Sequence, residues 1–483
     1  MSPRTPSSDK DFDDGSYTAP VVEKQSPQTE VSISKWSSVL SVLVAGVALF
    51  SDGYNIQIIG YMNSVLTKLY PDVMTTEMKA SQVCQRLSNS ILIGDVVGMI
   101  FFGLCIDRWG RRLGIFATTF FLVLGIVLAT AAHGTTPTGL LWMMVVGRGV
   151  AGVGAGGELQ GNPFFVICLQ ETSVQKRRGV LVATSTNSAI VSGFVASSIV
   201  SVIVLLAYGD KASDGVWRVC FGIGIFLPLT IFFFRLRLID STQYRKHAIK
   251  RRFPLKLTVR RYWKPLLGCC GAWFLYDFIV YPFNLLAPTI VSGFSSSSSL
   301  VETTGWSALV NAFALPGAFF GGFLIDWIGR RRTYALGFAI VSVFGFVIGA
   351  TMLPLRQNFP AFVVLFGLFQ SFLSVGPGNC NFLVSSESFP TPVRGHFLGF
   401  AAAVGKAGAA IGTQVFPLIV DRYEDEVKGQ QAIFLIGAAI SVVGTLVVYF
   451  LIPDRDCQLE SEDKLFKEYL EQHGWDTSEM GSH

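Results

Sequence analysis

Long apolar stretches separated by short polar segments recur along nearly the whole chain, and this pattern limits the fold more than any other feature. Each stretch approaches or exceeds the roughly 20 apolar residues that a helix needs to cross a membrane. In lipid, only helices and closed barrels satisfy every backbone hydrogen bond within the protein. We therefore predict an all-α membrane protein with twelve transmembrane helices, at residues 39–63, 88–106, 114–133, 138–166, 180–207, 217–236, 264–291, 305–325, 333–353, 360–384, 397–420 and 431–452.

The composition excludes several other classes of protein. The chain has 483 residues, of which 51% are hydrophobic and 15% are charged, whereas soluble domains average about 25% charged residues. A soluble enzyme is therefore a poor match, and the small net charge of +5 gives no reason to expect nucleic-acid binding. The eight cysteines include no C-x-x-C pair and the five histidines are scattered. We therefore expect no enzymatic activity, no cofactor and no metal site.

The distribution of positive charge predicts the orientation in the membrane. The segment 235–264 contains eleven Lys and Arg residues but only one acid, and the short loops after the second, fourth, eighth and tenth spans are also basic. Because cytoplasmic loops carry an excess of Lys and Arg, both termini and the central segment are predicted to be cytoplasmic. The N-terminus has no early apolar region typical of a cleaved signal peptide, so the first span is expected to direct insertion.

Two motifs occur once in each half of the chain, at nearly the same offset. The first is Gly-x-x-x-Asp followed by a Gly-Arg-Arg turn, and its copies are 219 residues apart. The second is a Glu seven residues before an Arg-Gly pair, and its copies are 216 residues apart. The charged residues of the four copies are Asp107, Arg111, Arg112, Asp326, Arg330, Arg331, Glu171, Arg178, Glu387 and Arg394. Two pseudo-symmetric six-helix bundles, related by a parallel repeat, account for both offsets.

The repeat predicts the domain organisation and a gate. The predicted domains are a disordered cytosolic tail at 1–38, a first bundle at 39–236, a basic cytosolic linker at 237–263, a second bundle at 264–452 and a cytosolic tail at 453–483. The motif arginines are expected to pair with Glu171 or Glu387 and to latch the cytosolic side in one conformation. The alternative is that these arginines simply anchor the helices among the lipid headgroups. Asp107 and Asp326 are expected to accept hydrogen bonds at the N-terminus of the next helix.

Several segments resemble a known family. Asp107-Arg-Trp-Gly-Arg-Arg112, Arg148-Gly-Val-Ala-Gly-Val-Gly-Ala-Gly-Gly-Glu158 and Glu387-Ser-Phe-Pro-Thr-Pro-Val-Arg-Gly395 resemble the major facilitator superfamily. Trp273-Phe-Leu-Tyr-Asp277-Phe-Ile-Val-Tyr281-Pro-Phe-Asn284 and Gly405-Lys406-Ala-Gly408 resemble its phosphate:proton symporters, and specifically fungal glycerophosphoinositol permeases. The resemblance covers the chain from about residue 40 onward. It implies an alternating-access carrier of the plasma membrane that moves an organic phosphate together with protons.

Ionisable residues inside the predicted spans are candidates for function, because charge is costly in a membrane. They are Asp52, Asp95, Arg148, Glu158, Asp277 and Lys406. A shared aqueous cavity is expected around them. Carboxylates removed from water take up a proton more readily, so Asp52, Glu158 and Asp277 are the candidate proton carriers. Arg148 is expected to pair with Glu158 or Asp52 and to tune proton affinity, whereas Asp95 is interpreted as a hydrogen-bond partner between helices.

One face of the seventh span and a lysine of the eleventh form the candidate substrate site. Trp273, Asp277 and Tyr281 are four residues apart, which places them on one helical face, and Asn284 follows at the next step. Lys406 lies among Ala and Gly, which are expected to open space around it, and it has no carboxylate one turn away, so it is expected to attract an anion. The family resemblance implies that the first three residues line the substrate site and that the lysine lies near the bound phosphate.

Two departures from the family pattern favour a substrate other than free phosphate. Leu159-Gln160 follows Glu158 where the family often has Tyr-Pro, and Gly378 replaces an asparagine of the tenth span. Asn379, next in the chain, is therefore a further substrate-binding candidate. A larger or differently shaped anion would suit such a pocket.

The segment Gly147-Arg-Gly149-Val-Ala-Gly152 literally fits a dinucleotide-binding motif. It lies within a long apolar stretch without a preceding strand, which the motif requires. We interpret its glycines as small residues that allow close helix packing.

The predicted function is proton-coupled import of an organic phosphate anion, such as glycerophosphoinositol or glycerophosphocholine, or of phosphate, by alternating access. The expected partners are the small anion, protons and the lipid bilayer, and the protein is expected to be monomeric. Two alternatives are a major facilitator carrier that exports an acidic metabolite and a non-transporting nutrient receptor. Direction-resolved transport would distinguish the first, and ligand binding without flux would distinguish the second.

Overall fold

The helices follow the apolar stretches of the sequence closely. The computed structural model describes residues 35–74, 77–109, 111–161, 178–239, 254–294, 299–454, 459–475 and 477. Within these ranges the long helices form twelve spans in chain order. Spans 1 to 6 are Lys35–Leu69, Glu77–Trp109, Arg111–Thr130, Pro137–Gly161, Arg178–Ser185 with Asn187–Ala207, and Asp214–Ile239. Spans 7 to 12 are Leu255–Leu285, Leu300–Ala312 with Ala314–Ile328, Arg330–Ala350, Phe359–Leu373 with Asn379–Glu387, Arg394–Asp421, and Glu426–Leu451.

The predicted fold class is confirmed. Along the described residues, ten of these helices are long and apolar enough to cross a membrane, and spans 1 and 6 are continuous helices at the two remaining predicted places. Large apolar side chains cover the outer surface, where Leu104, Phe226, Trp327 and Phe450 are each at least 70% exposed. Lipid is the solvent that such a surface requires. We call the membrane face at which span 1 begins the proximal face, and the other the distal face.

Besides a kink at Tyr262 near the start of span 7, three spans contain a break that sequence periodicity does not reveal. Span 5 is interrupted at Thr186 and span 8 at Phe313, and in span 10 the helix widens into a π turn at Ser374–Gly378. Pro377 lies in that turn, where it has no N–H to donate and its ring would clash with the preceding turn of a regular helix. The tight proximal turn between spans 8 and 9 has Gly329 at φ 93°, a left-handed conformation that glycine adopts without steric cost.

Glycine brings spans 2 and 4 into backbone contact. A Cβ atom at Gly152 would overlap the carbonyl oxygen of Ile91 and lie 2.9 Å from the Cα atom of Gly94. The dinucleotide-like segment around Gly152 is therefore helical and serves close packing, which confirms the interpretation from sequence.

Spans 1–6 and 7–12 form the two bundles, and their interface is the centre of the molecule. Span 2 contacts span 11, span 5 contacts span 8, and span 1 contacts span 7. These contacts bring the middle of several spans, where the sequence places its ionisable residues, to the bundle interface.

The span-7 helix begins at Leu255, nine residues before the predicted start of the span, but it is kinked at Tyr262, whose φ of −106° and ψ of 18° are not helical, so the predicted start lies next to the kink. The charges of Arg260 and Arg261 excluded this segment from an apolar span, but Arg261 lies 3.7 Å from Glu462 in a helix at Leu459–Gln472. The same helix packs through buried Phe466 and Leu470. The predicted domain boundaries otherwise stay predictions, since residues 1–34 and 240–253 lie outside the described ranges.

Candidate functional site

Lys406 lies at the bundle interface near the middle of span 11. Only 6% of the residue is exposed. Its Nζ atom donates a hydrogen bond of 2.7 Å to the Tyr281 hydroxyl and lies 4.7 Å from the centre of that ring. The same nitrogen lies 3.4 Å from a carboxylate oxygen of Asp52 and 3.4 Å from one of Asp95. A buried ammonium group is therefore surrounded by two carboxylates and a phenol.

The acids come from both bundles. Asp52 and Asp95 lie near the middle of spans 1 and 2 in the first bundle, whereas Asp277 shares span 7 with Tyr281 in the second bundle. Asp95 and Asp277 are only 1% and 2% exposed. All three carboxylates are close enough to interact electrostatically with Lys406. Lys406 of the second bundle thus attracts Asp52 and Asp95 of the first bundle across the interface. This place is near the middle of the spans, where transporters built from two repeats bind their substrates.

Asp95 has a more central place than the sequence predicts. The sequence makes it one of the ionisable candidates and a hydrogen-bond partner between helices, and the structure makes it one of the two carboxylates nearest to Lys406. Among the described residues, Lys406 is the polar partner of the Asp95 carboxylate, whose oxygens have no other hydrogen bond. An ionised carboxylate in so dry a position needs a nearby cation. The available signal was its place near the middle of span 2, level with the ionisable residues of neighbouring spans.

Arg148 supports the cluster from span 4. Its guanidinium donates to the backbone oxygens of Leu87, at 3.2 Å, and Asn55, at 3.3 Å, and it lies over the Phe221 ring. The positive charge of Arg148 also interacts with the carboxylate of Asp95. The sequence had predicted a pairing with Glu158 or Asp52, but the described contacts turn this arginine toward span 2 and the backbone instead.

The small residues around Lys406 have a different role from the one predicted. They were expected to open space around the ammonium group. Instead, Cβ atoms at Gly408 and Gly412 would overlap the carbonyl oxygens of Phe274 and Phe278, and one at Gly405 would overlap the indole of Trp273. Spans 7 and 11 therefore pack backbone to backbone, which holds Lys406 beside Tyr281.

The predicted face of span 7 is only partly assembled around the lysine. Tyr281 contacts Lys406 directly, and Asp277 lies nearby. Trp273 packs edge-on against Phe382, with ring centres 4.7 Å apart. Asn284 lies one turn beyond Tyr281 in span 7. Its side-chain oxygen accepts a hydrogen bond from Gln370 at 2.8 Å.

Two other predicted residues lie apart from the cluster. Glu158 is buried ten residues beyond Arg148 in span 4, about 15 Å along the helix, and accepts a hydrogen bond from Thr119. Asn379 donates to the backbone of Ala318 and accepts a bond of 3.0 Å from Asn187 of the first bundle. The expectation of one cavity shared by all ionisable residues of the spans is therefore not met in this conformation.

The proximal motifs of the second bundle form the predicted pairing of a motif arginine with Glu387, since Arg330 pairs with Glu387 at 3.0 Å. Both residues belong to the second bundle, so this pair by itself does not join the two bundles, and its role as a latch stays a prediction. Arg331 lies over the Tyr449 ring and donates to its backbone oxygen. Arg394 is buried and donates to Thr391. The side chains of Asp107, Arg111, Arg112, Glu171 and Arg178 lie outside the described part of the chain.

Two aspartates join the bundles at opposite faces of the membrane. Asp326 accepts hydrogen bonds from the backbone N–H groups of Gly179, at 2.9 Å, and Val180, at 3.2 Å. It therefore binds the N-terminus of span 5. The sequence had predicted that it would bind the N-terminus of the next helix instead. On the distal face, Asp210 accepts a bond of 2.9 Å from the Val301 N–H at the start of span 8. We call these contacts the proximal and distal clamps.

Within the described residues, contacts between the bundles lie on both sides of Lys406. The distal side is joined by Gln414, which donates to Gln85 at 2.7 Å, and by the distal clamp. The proximal side is joined by Asn187 with Asn379 and by the proximal clamp. A site between two movable bundles, buried from both faces, can exchange a ligand only when one set of contacts opens.

The fold and this central site define the chain as a polytopic membrane transport protein. It matches the sugar (and other) transporter family over residues 41–252 and 246–458. It is 37% identical over 445 residues to the glycerophosphoinositol permease 1 of Candida albicans, covering 91% of this chain and 83% of the relative. It is 32% identical over 467 residues to a glycerophosphocholine permease of the same organism, covering 95% and 86%.

A solved structure shows the same fold. The proton:xylose symporter of the major facilitator superfamily superimposes with a TM-score of 0.69 at 17% sequence identity, covering 89% of this chain and 98% of the symporter. The chain belongs to the sugar (and other) transporter family, and it is a multi-pass membrane transporter of a small molecule rather than an enzyme.

Proposed function

We propose that this protein imports a glycerophosphodiester together with protons, by alternating access across the plasma membrane. The observation that carries the proposal is Lys406, a buried cation of the second bundle held by Asp52 and Asp95 of the first bundle. A phosphodiester anion can take the place of a carboxylate beside the ammonium group. The names of the relatives, which are permeases for glycerophosphoinositol and glycerophosphocholine, support this class of substrate.

The charge balance links anion binding to protons. Three acids, Asp52, Asp95 and Asp277, face two cations, Lys406 and Arg148, so the fully ionised cluster has one excess negative charge. A bound monoanion would raise this excess to two in a buried site, which is strongly unfavourable. With the anion bound, protonation of one of Asp52 and Asp95 lowers the excess from two to one, and protonation of both removes it. Each protonation also frees Lys406 from a competing carboxylate, so that it can bind the phosphate.

The same exchange of partners explains how binding moves the bundles. While Asp52 and Asp95 are ionised, Lys406 attracts the first bundle toward the second. When they are protonated, that attraction is lost, and the phosphate bound to Lys406 replaces it. The proximal and distal clamps are proposed to break alternately, so that one face opens at a time. Asp277 and Glu158 are proposed as further stations for protons, and Arg330 with Glu387 as a brace that keeps the second bundle rigid.

The proximal face is proposed to be cytoplasmic, with both termini in the cytosol. The support is the excess of Lys and Arg in the segment 235–264 and in the proximal turns of the second bundle. Epitope tags at the two termini should become accessible to antibody only after the plasma membrane is permeabilised. Labelling of either tag on intact cells would contradict this orientation.

The transport proposal is tested with purified full-length protein in sealed vesicles. Labelled glycerophosphoinositol, glycerophosphocholine and phosphate are supplied outside, with the vesicle interior alkaline or at equal pH. We expect faster uptake of at least one glycerophosphodiester with the gradient, and loss of that stimulation with a protonophore. Absence of uptake, or uptake that ignores the gradient, would reject the proposal. Efflux that exceeds uptake under matched gradients would favour an exporter.

A further inference from the structure

Five polar residues form a buried hydrogen-bonded group on the distal side of Lys406. We call it the amide cluster, and its members are Gln57, Tyr61, Asn284, Asn311 and Gln370. Gln57 donates to the backbone oxygen of Asn284 and Gln370 donates to its side-chain oxygen, both at 2.8 Å. Asn311 donates to the Tyr61 hydroxyl at 2.8 Å, and this hydroxyl also interacts with the side chain of Gln57, which joins the two sets.

The amide cluster spans the bundle interface. Gln57 and Tyr61 lie on span 1 of the first bundle, whereas the other three residues come from spans 7, 8 and 10 of the second. All five residues are at most 4% exposed. The bonds from Gln57 and Asn311 each join the two bundles, so they must break when the distal side opens, and the amide groups then face the incoming substrate.

Within the described part of the chain, three acceptors of the amide cluster have no hydrogen-bond partner. They are the side-chain carbonyl oxygens of Gln57, Asn311 and Gln370. Exchanging the oxygen and nitrogen of an amide would leave donors unpaired instead, so the deficit does not depend on the orientation of each amide. Buried polar atoms are nearly always paired in proteins, with protein groups, water or a ligand, so these three acceptors are available to a ligand that enters the interface. Hydroxyl groups would satisfy them, because each hydroxyl donates one bond and accepts others.

The amide cluster lies about one helical turn from the residues of the anion site, toward the distal face. Gln57 follows Asp52 by five residues and Asn284 follows Tyr281 by three, which corresponds to about 7.5 Å and about 4.5 Å along their helices. A phosphate held by Lys406 would therefore direct one of its ester groups toward the amides. That group would enter a region without charged side chains among the five members.

We propose that the amide cluster binds the hydroxyl-rich organic part of the transported phosphodiester, a polyol. This inference rests on the proposed function and deepens it. A polyol offers several neighbouring hydroxyls, which match amides that both donate and accept. A quaternary ammonium group such as choline donates no hydrogen bond and would leave the amide oxygens unpaired. The amide cluster thus favours inositol over choline as the headgroup, a choice that the names of the relatives leave open.

The test compares three substrates in the vesicle assay. Gln370→Met and Asn311→Leu remove one amide each at similar volume. Gln430→Met is the matched control, because Gln430 is also a buried amide with an unpaired oxygen but lies in span 12 outside the amide cluster. We expect uptake of glycerophosphoinositol to fall about 10- to 100-fold in the two cluster variants. Phosphate is tested as a substrate or as a competing inhibitor. Its rate of uptake, or the concentration at which it inhibits, should change less than about twofold, because phosphate does not reach the amide cluster.

Each outcome decides the inference. Loss confined to glycerophosphoinositol places the inositol ring in the amide cluster. Equal loss of glycerophosphoinositol and glycerophosphocholine, with phosphate spared, assigns the amide cluster to the glycerol that both share. Equal loss of all three, or no loss, overturns the inference, because the amides then serve only to join the bundles. If the unaltered protein transports none of the three, the proposed function fails, and this inference fails with it.

Discussion

At the scale of single residues, Lys406 is the centre of the buried group of charged side chains. Its ammonium group contacts Tyr281, Asp52 and Asp95 within 3.4 Å. A buried ion retained by partners from two bundles is costly to assemble and more costly to leave incomplete, because removal of one partner leaves the others unpaired. Residues of this kind are kept where the exchange of partners is itself the function.

Replacing Lys406 with Met should abolish anion uptake. The variant loses the cation that attracts phosphate and leaves Asp52 and Asp95 without their counter-ion, so we expect a fall of at least about tenfold in uptake rate. The measurement is initial uptake of labelled glycerophosphoinositol into vesicles, normalised to folded protein. Lys428→Met is the control, since Lys428 is exposed at the start of span 12. Near-normal uptake by the Lys406 variant would remove the lysine from the mechanism.

Asp95→Asn should separate anion transport from protons. The asparagine imitates a protonated aspartate, so Lys406 loses one competitor for the phosphate and one proton site is missing. We expect exchange of labelled for unlabelled substrate to continue, while the stimulation by an inside-alkaline gradient falls at least about twofold. Asp72→Asn, at an exposed residue of a short helix, is the control. Full stimulation in the Asp95 variant would assign proton coupling to the other acids.

At the scale of helices, close packing through glycine decides where the charged side chains lie. Gly152 allows the backbones of spans 2 and 4 to touch, and Gly408 and Gly412 do the same for spans 7 and 11. With larger residues at these places, Asp95, Arg148 and Lys406 would be displaced from one another. The glycine pattern therefore positions the charged side chains of the site.

Gly152→Ala should destabilise the protein, whereas Gly305→Ala should not. The added Cβ atom at residue 152 would overlap the Ile91 carbonyl oxygen, and overpacking of this kind costs about 1–3 kcal/mol. No atom lies within 4 Å of a Cβ atom at residue 305, and alanine favours a helix over glycine by about 0.5–1 kcal/mol. Thermal unfolding in detergent measures both. A Gly152 variant as stable as the original protein would show that spans 2 and 4 can separate freely.

At the scale of the whole molecule, the two clamps have one design. In each, an aspartate of one bundle binds the N-terminus of a helix in the other, where backbone N–H groups and the helix dipole favour negative charge. Asp326 holds span 5 at the proximal face, and Asp210 holds span 8 at the distal face. An alternating-access carrier needs a separable contact at each face, and spans 5 and 8 supply both.

The distal clamp should not act as a pH sensor. Desolvation raises the pKa of Asp210, but hydrogen bonds from Ser299 and the Val301 N–H, with the charge of Lys68, outweigh it and hold this pKa below its ordinary value. A depressed pKa means that the carboxylate stays ionised between about pH 5 and pH 7, and its contribution is lost only as pH falls through that lowered pKa. We therefore expect Asp210→Asn to keep the pH dependence of uptake.

Asp210→Ala, which removes the acceptor altogether, should instead favour opening at the distal face. The measurement is the rate at which a membrane-impermeant thiol reagent labels a cysteine introduced at Gln85, beside the distal interface, in a background whose eight native cysteines are replaced by serine. Labelling faster than in the same cysteine variant with Asp210 intact supports the clamp. Loss of pH dependence in Asp210→Asn would instead assign proton sensing to this turn.

The amino-acid sequence by itself determined the number and order of the spans, the two-bundle repeat, and the candidacy of Asp52, Asp277, Tyr281 and Lys406. These follow from local properties, since a run of apolar residues must be helical in lipid and a charge within it is exceptional. The boundary at Leu255 and the breaks in spans 5, 8 and 10 were not predicted, because they depend on contacts outside each segment.

Only the tertiary structure decided which of these residues meet. Lys406 and Asp52 are 354 residues apart, and Asp326 lies 147 residues from the Gly179 N–H that it binds. The role of Asp95, the separation of Glu158 from the cluster and the amide cluster likewise depend on how the bundles dock. Periodicity reports which side of one helix is apolar, but the pairing of side chains across an interface is set by the packing of two bundles, where close backbone approach brings distant charges together.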